Sequence, residues 1–228
     1  MVMFWQDDTP AEAEIGPDVI VDLVFRISGR DLPSEHGHAL FRAVAAILPW
    51  IETDKASGIH LIHVAESGNG WVRPTGHQLL HLSKRTRLVL RLPIERISSA
   101  RSLSGLEIEV DGHRIRVGPA RIRRLNPIAT LFARHVAIEA DTEDEEQFLH
   151  WAAERLRDLT IPAGKMLCGR HHIIQAPCGP IPTRSLMLAE LAPQESLTLQ
   201  QHGLGKGRKI GCGLFLPQRN IEAVYDTE

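Results

Sequence analysis

The stretch from Gly203 to Gly213 reads Gly-Leu-Gly-Lys-Gly-Arg-Lys-Ile-Gly-Cys-Gly. Two glycine–apolar–glycine triplets bracket five residues, and three of those five are Lys206, Arg208 and Lys209. Glycines expose backbone amides and reach φ/ψ angles closed to other residues. Basic side chains beside such amides suit a phosphate-rich polymer lying against the backbone. The apolar Leu204, Ile210 and Cys212 argue for an ordered loop rather than a linker. An ordinary glycine turn has no need of two matched triplets around a basic centre. Two nucleotide-binding motifs are excluded. There is no G-x-x-x-x-G-K-[ST], and Arg208 stands where a G-x-G-x-x-G turn needs its third glycine.

The charge distribution points the same way. The chain has 228 residues and a net charge of −2, which alone suggests no polyanionic partner. From Ser83 to Arg134, however, twelve Lys/Arg face four Asp/Glu. Only five of the 26 basic residues are lysine. The remainder are arginine, which forks onto phosphate and stacks on bases. Acidic residues collect instead between Glu139 and Glu146 and in the first residues. An apolar content of 43% supports a real core, enough for one large domain or two small ones. No apolar run reaches the roughly 18 residues of a membrane helix. Asp7, Asp8, Glu12 and Glu14 are wrong for a signal peptide. Cys168, Cys178 and Cys212 form neither a metal-ligand spacing nor an even disulfide set, so a cytoplasmic protein is expected, with no metal and no cofactor.

The elements that must position these residues follow from period and punctuation. Residues 1–16 read as a leader. Asp18 to Ser28 alternates as a strand, and Pro33-Ser34 opens a helix with Ser34 as candidate N-cap, ending at Pro49. Gly58 to Val64 reads as a strand, Gly68-Asn69-Gly70 as a turn, Thr86 to Leu92 as a strand and Ile94 to Leu103 as a short helix. Asp111-Gly112 turns a hairpin within Leu106 to Arg124. The pattern then repeats: strand 130–138, helix 142–159, strands 165–174 and 182–191, a proline-opened helix 193–202, the glycine loop and a last strand from Leu214. Both halves read β-α-β-β-α-β. The expected fold is therefore α+β, two tandem ferredoxin-like units covering 17–126 and 127–228, with the boundary at Asn126-Pro127.

Tandem ferredoxin-like halves closing in a G-h-G-x5-G-h-G loop (h, apolar) resemble the RAMP superfamily of CRISPR-associated proteins. Within it the chain resembles the crRNA-processing endoribonucleases usually labelled Cas-six, of type I systems. The resemblance extends over residues 18–224, through D-L-V-F-R-I-S-G-R-D-L-P-S-E-H-G-H-A-L, S-G-I-H, S-K-R-T-R-L-V-L-R-L-P and the glycine loop with its trailing L-F-L-P. It implies metal-independent cleavage of CRISPR repeat RNA, the 2′-OH attacking the adjacent phosphate to leave a 2′,3′-cyclic phosphate and a 5′-hydroxyl. It also implies retention of the crRNA 3′ handle and membership of a Cascade complex. Non-cleaving RAMP subunits carry the same loop, so a crRNA-binding subunit is the alternative. A general ferredoxin-like RNA binder ranks last, since aromatics make up only 5% of the chain.

The chemistry needs a base at the 2′-OH, an acid at the 5′-oxygen and cations around the phosphate. The resemblance places a catalytic histidine in or beside the first helix, which here gives His36 and His38. His36 falls in the first turn, where free amides favour a neutral imidazole and a phosphate. It is the first choice and His38 the second. Some relatives use a Tyr-His-Lys set, but the single tyrosine is Tyr225 in the tail. The supporting role therefore falls to Ser34, Lys84, Arg85 or Lys165. RNA phosphates are assigned to Gly205, Lys206, Gly207, Arg208 and Lys209, then to Arg85, Arg87, Arg91, Arg121, Arg123 and Arg124. Lys165, Arg170 and His172 are further RNA-binding candidates.

Overall fold

The computed structural model of the chain describes residues 19–64, 79–138, 144–162, 164–177 and 179–218. The expected leader, the Gly68–Gly70 turn and Tyr225 lie outside them.

The first half is one antiparallel sheet. β1 (Ile20–Ser28), β3 (Gly58–Ile59), β5 (Arg87–Pro93), β6 (Glu107–Val110) and β7 (His113–Arg123) order as β3-β5-β1-β7-β6. α1 (Gly37–Ile47) and the four-residue α2 (Ile97–Ala100) supply its helices. Alternation decides which face is covered. Val21, Leu23, Phe25 and Ile27 of β1 join Leu40 and Val44 of α1 in one buried cluster, while Asp22, Val24 and Arg26 take the opposite face. The second half repeats the arrangement. β8 (Leu131–Ala137), α3 (Glu145–Asp158), β9 (Lys165–Ile174), β10 (Ile181–Ala189), α4 (Pro193–His202) and β11 (Leu216–Pro217) give the order β11-β8-β10-β9. In each sheet the first and third strands of the β-α-β-β-α-β series are central, the ferredoxin-like order. The second sheet has its own core, with Leu131, Phe148, Trp151, Leu156 and Leu186.

Boundaries moved where a local signal was misread. Ser34 is not an N-cap: α1 starts at Gly37, its N-cap position is His36, and no side chain caps it. Asp144 caps α3, accepting from the Glu146 and Gln147 amides. Only Gly58 and Ile59 of the expected 58–64 strand pair in the sheet. A two-strand ribbon of β2 (Asp31–Pro33) with β4 (Leu79–His81) was not expected at all. Among the described residues no helix is long and apolar enough to cross a membrane.

The two halves are stitched together by α1 and the glycine loop. Phe41 of α1 packs against Ala137, Ile174, Ile210 and Cys212, all from the second half. Ile20, Leu125 and Leu197 form a second apolar seam, with Ala56 against it.

Candidate active site

The glycine loop is a closed turn rather than an open amide cradle. All five of its glycines have positive φ, from 65° at Gly213 to 88° at Gly211. A Cβ on Gly213 would sit 2.2 Å from the Leu204 carbonyl, so only glycine allows the two triplets to meet. The Leu204 amide donates to Gly213 O, the Ile210 and Cys212 amides to Gly207 O, and the Gly213 amide to His135 O of β8. What is left is the tip. The amides of Gly205, Lys206 and Gly207 have no acceptor among the described residues, and the exposed Lys206 side chain has no partner there. Of these three expected RNA ligands, Gly205 and Lys206 are exposed and Gly207 is half-buried.

Arg208 and Lys209 do the opposite, which corrects their assignment to RNA phosphates. Arg208 donates to the carbonyls of His202, of Gln201 at 2.9 Å and of Ala56 at 3.1 Å. Lys209 Nζ donates to Asp54 O and to Ser57 O, the latter at 3.1 Å. Both cations are thus spent on carbonyls of α4 and of the 54–57 segment. Burial lowers the Arg208 pKa to about 10, with Arg91 adding to the effect. Burial takes the Lys209 ammonium down to about 8; Asp54 opposes this shift and Arg208 reinforces it.

Arg91 is corrected in the same way. It is fully buried. Its guanidinium forks onto both carboxylate oxygens of Asp22, at 2.8 and 3.1 Å. It also donates to Gln200 O at 3.0 Å and Phe215 O at 2.8 Å in the second half. Arg123 completes the cluster with a 2.9 Å bond to Asp22. Burial raises the Asp22 pKa, but Arg91 and His60 outweigh it and hold the carboxyl well below its ordinary value.

The start of α1 separates the two candidate histidines. His36 is buried with both ring nitrogens engaged: Nδ1 donates to Pro33 O at 2.7 Å and Nε2 accepts the Ile62 amide at 2.9 Å. The Ile62 N–H fixes the tautomer, because it can donate only to an unprotonated nitrogen. An imidazole so held has no lone pair for a substrate. This corrects the first choice: His36 is a strut between the start of α1 and the 61–62 segment. His38 is half-exposed, and its ring nitrogens have no hydrogen-bond partner among the described residues. Its ring meets Phe41 edge-on, with centroids 6.3 Å apart. Phe41 in turn rests on Ile210 and Cys212 of the glycine loop.

Gly37, between the histidines, brings α1 onto the loop. A Cβ there would lie 2.9 Å from Ile210 O and 3.1 Å from Leu61. Gly37→Ala is expected to displace the start of α1 and to cost about 1–3 kcal/mol. Urea denaturation measures that cost, and an unchanged midpoint would show that the approach is slack. Sequence reading missed Arg42. It lies four residues after His38, on the same helix face, exposed and without a partner among the described residues. The i, i+4 spacing alone was the signal.

The remaining candidates scatter. Ser34 is buried, at 1% exposure, so its hydroxyl cannot reach a substrate from there. Lys84 and Arg85 are exposed in the turn after β4. Arg87 donates to Lys84 O and Thr86 O. Arg121 and Arg124 are exposed at the end of β7. Lys165 forms an ion pair with Glu190. The His172 ring lies edge-on to that of His135, 5.5 Å away, and is half-buried. Arg170 is on β9, but its side chain lies outside the described residues. Among the described residues, no group of three or more His, Cys, Asp or Glu gathers as a metal site.

What comes together at the start of α1 is a histidine with unoccupied ring nitrogens, an uncapped helix N-terminus and a neighbouring arginine. An uncapped first turn offers its amides to an anion, and an imidazole titrates near neutrality and can move a proton.

The comparisons with known proteins speak to the family and the fold. The family model described as Cas6 Crispr matches residues 21–220. The CRISPR-associated endonuclease Cas6 of Myxococcus xanthus (strain DK1622) is 31% identical over 199 residues, covering 87% of this chain and 82% of that protein. Among solved structures, a CRISPR-associated protein Cas6 superposes with a TM-score of 0.63 at 10% identity, covering 88% of this chain and 100% of that one. A RAMP protein described as binding different RNA substrates superposes at 0.59 with 12% identity, covering 86% and 98%. At such identities the structures speak to the fold alone. The extent of the family match and the Myxococcus relative carry the assignment: this chain belongs to the Cas6 family of CRISPR-associated proteins.

Proposed function

We propose that this protein is a CRISPR repeat-RNA endoribonuclease acting in the cytoplasm, with His38 as the base that takes the 2′-OH proton. The observation that carries this reading is the contrast at the start of α1, where His36 is locked and His38 is not. The 2′-oxygen attacks the adjacent phosphorus, forming the O2′–P bond as the P–O5′ bond breaks. His38 accepts the 2′ proton, and the 5′-oxygen leaves with a proton from solvent. The first-turn amides of α1 and the Arg42 guanidinium bear the charge on the crowded phosphate. The Gly205–Gly207 tip and Lys206 hold a flanking phosphate. The chain divides near Asn126-Pro127, with the chemistry on the first unit and the loop on the second. In keeping with the family resemblance, the protein stays on the 3′ handle of its product and enters a Cascade complex.

Single-turnover cleavage of repeat RNA in EDTA tests the reading. Cutting is expected to persist, to leave a cyclic phosphate and a 5′-hydroxyl, and to stop when the nucleotide at the cut site is 2′-deoxy. Tight binding without cutting would instead identify a crRNA-binding RAMP subunit, and cutting of the 2′-deoxy RNA would remove the mechanism.

A further inference from the structure

An open cleft of about 960 Å³ lies in the first half. Neither α1 nor the glycine loop contributes to its lining. Four cations surround it, Arg26, Lys84, Arg87 and Arg116, and no acidic residue does. Arg26 and Arg87 are directly opposed on neighbouring strands of the sheet. Like charges so placed destabilise a sheet unless an anion sits between them. Arg116 stands across from Ser28 on the other neighbour, so the three arginines come from adjacent strands.

The positions are built rather than incidental. The β1–β7 register shifts between Phe25 and Ile27, so that Gly118 and Pro119 of β7 together oppose Arg26, and a bulge of this kind bends the strand that carries the extra residue. Gly118, within the bulge, lies close to β1: a Cβ there would be 3.3 Å from Arg26 O. The Arg87 guanidinium is anchored by the Lys84 and Thr86 carbonyls at 2.8 and 2.7 Å. The Arg26, Lys84 and Arg116 side chains have no hydrogen bond or ion pair among the described residues, so their charge is available. Ser28, Ser83 and Ser104 add hydroxyls to the lining.

We infer that this cleft is a docking site for the sugar-phosphate backbone of the RNA, separate from the site where the bond breaks. The inference rests on the RNA-processing reading above and extends it to a second stretch of the same substrate. The lining contains no aromatic residue, so the cleft has no platform on which to stack bases. It reads phosphates and is indifferent to sequence.

The test is RNA affinity as a function of salt, for repeat RNA, a short oligouridylate and a short RNA duplex. In the double variant Arg26→Ala/Arg116→Ala, affinity is expected to fall. The slope of log affinity against log salt is expected to shrink by about 1.4 on a single strand, some 0.7 for each lost contact. Arg26→Lys/Arg116→Lys restores the slope, which separates lost charge from lost structure. Arg30→Ala/Arg101→Ala, removing equal charge outside the cleft, retains the parental slope. A cleft variant indistinguishable from that control overturns the inference. An effect on oligouridylate but not on duplex assigns the cleft to single-stranded flanks, and the converse assigns it to the stem. If the protein cuts RNA but the slope is unchanged, this inference fails and the nuclease reading stands. If the slope falls in a protein that never cuts, the nuclease reading fails alone.

Discussion

His38→Ala is expected to lower the single-turnover rate of repeat-RNA cleavage by about 10²–10⁴-fold, the usual range for one proton-transfer group. RNA affinity should stay near the parental value, because phosphate contacts come from amides, Arg42 and the loop tip. His36→Ala is the instructive partner. It orphans the buried Ile62 amide and the Pro33 carbonyl, at a cost of about 1–3 kcal/mol in stability. Whatever fraction folds keeps His38 and still cuts. Rates normalised to folded protein, with thermal melts in parallel, separate the two residues. Parental cleavage by His38→Ala, or full inactivation of folded His36→Ala, would return the catalytic role to His36.

The largest stability effect is expected at Arg91. Arg91→Met leaves Asp22 buried, with only the half-exposed Arg123 and the buried His60 beside it. It also strips a donor from Gln200 O and Phe215 O across the halves. Breaking one side of a buried ion pair costs about 3–5 kcal/mol, which for a chain of this size lowers Tm on the order of 10 °C. Asp22→Asn/Arg91→Met should recover part of the loss, since the uncompensated charge goes with the pair. The acid limb carries a second readout. The folded-state pKa of Asp22 is depressed, so its contribution is present above the ordinary carboxylate pKa of about 4 and is lost as pH falls through the lower folded value. In Arg91→Met that part of the acid dependence shrinks. Parallel pH profiles for parent and variant would mean that the pair does not set the Asp22 pKa.

Much of this was legible in the chain itself. Alternation in β1, the acid-led amphipathic α3 and the glycine loop are local patterns, and each forms where its period places it. The three-residue strands β2 and β4 have no period to read; they exist because their backbones find each other. Function was less legible because long-range burial assigns it. Nothing near His36 in sequence announces that the Ile62 amide, 26 residues on, will occupy its ring. Arg87 and Arg91 look alike on one strand face, yet the second half of the chain covers only Arg91. Arg208 and Lys209 read as phosphate ligands because the 54–57 segment, whose carbonyls take both of them, lies about 150 residues earlier, and the fold also turns Arg208 back onto the end of α4. Lys206 has no such claimant among the described residues.

The tie between Arg91 and the Phe215 carbonyl has a consequence for how the enzyme comes into being. The first unit, with its histidines, leaves the ribosome well before the glycine loop does. At cellular elongation rates the gap is on the order of 10 s. Through that interval Phe41 has no Ile210 or Cys212 beneath it, Gly37 has no loop to abut, and Arg91 lacks two of its acceptors. A nascent chain therefore carries His38 without the frame that holds the start of α1. The start of α1 is braced only when the glycine loop and the final strand have closed on it.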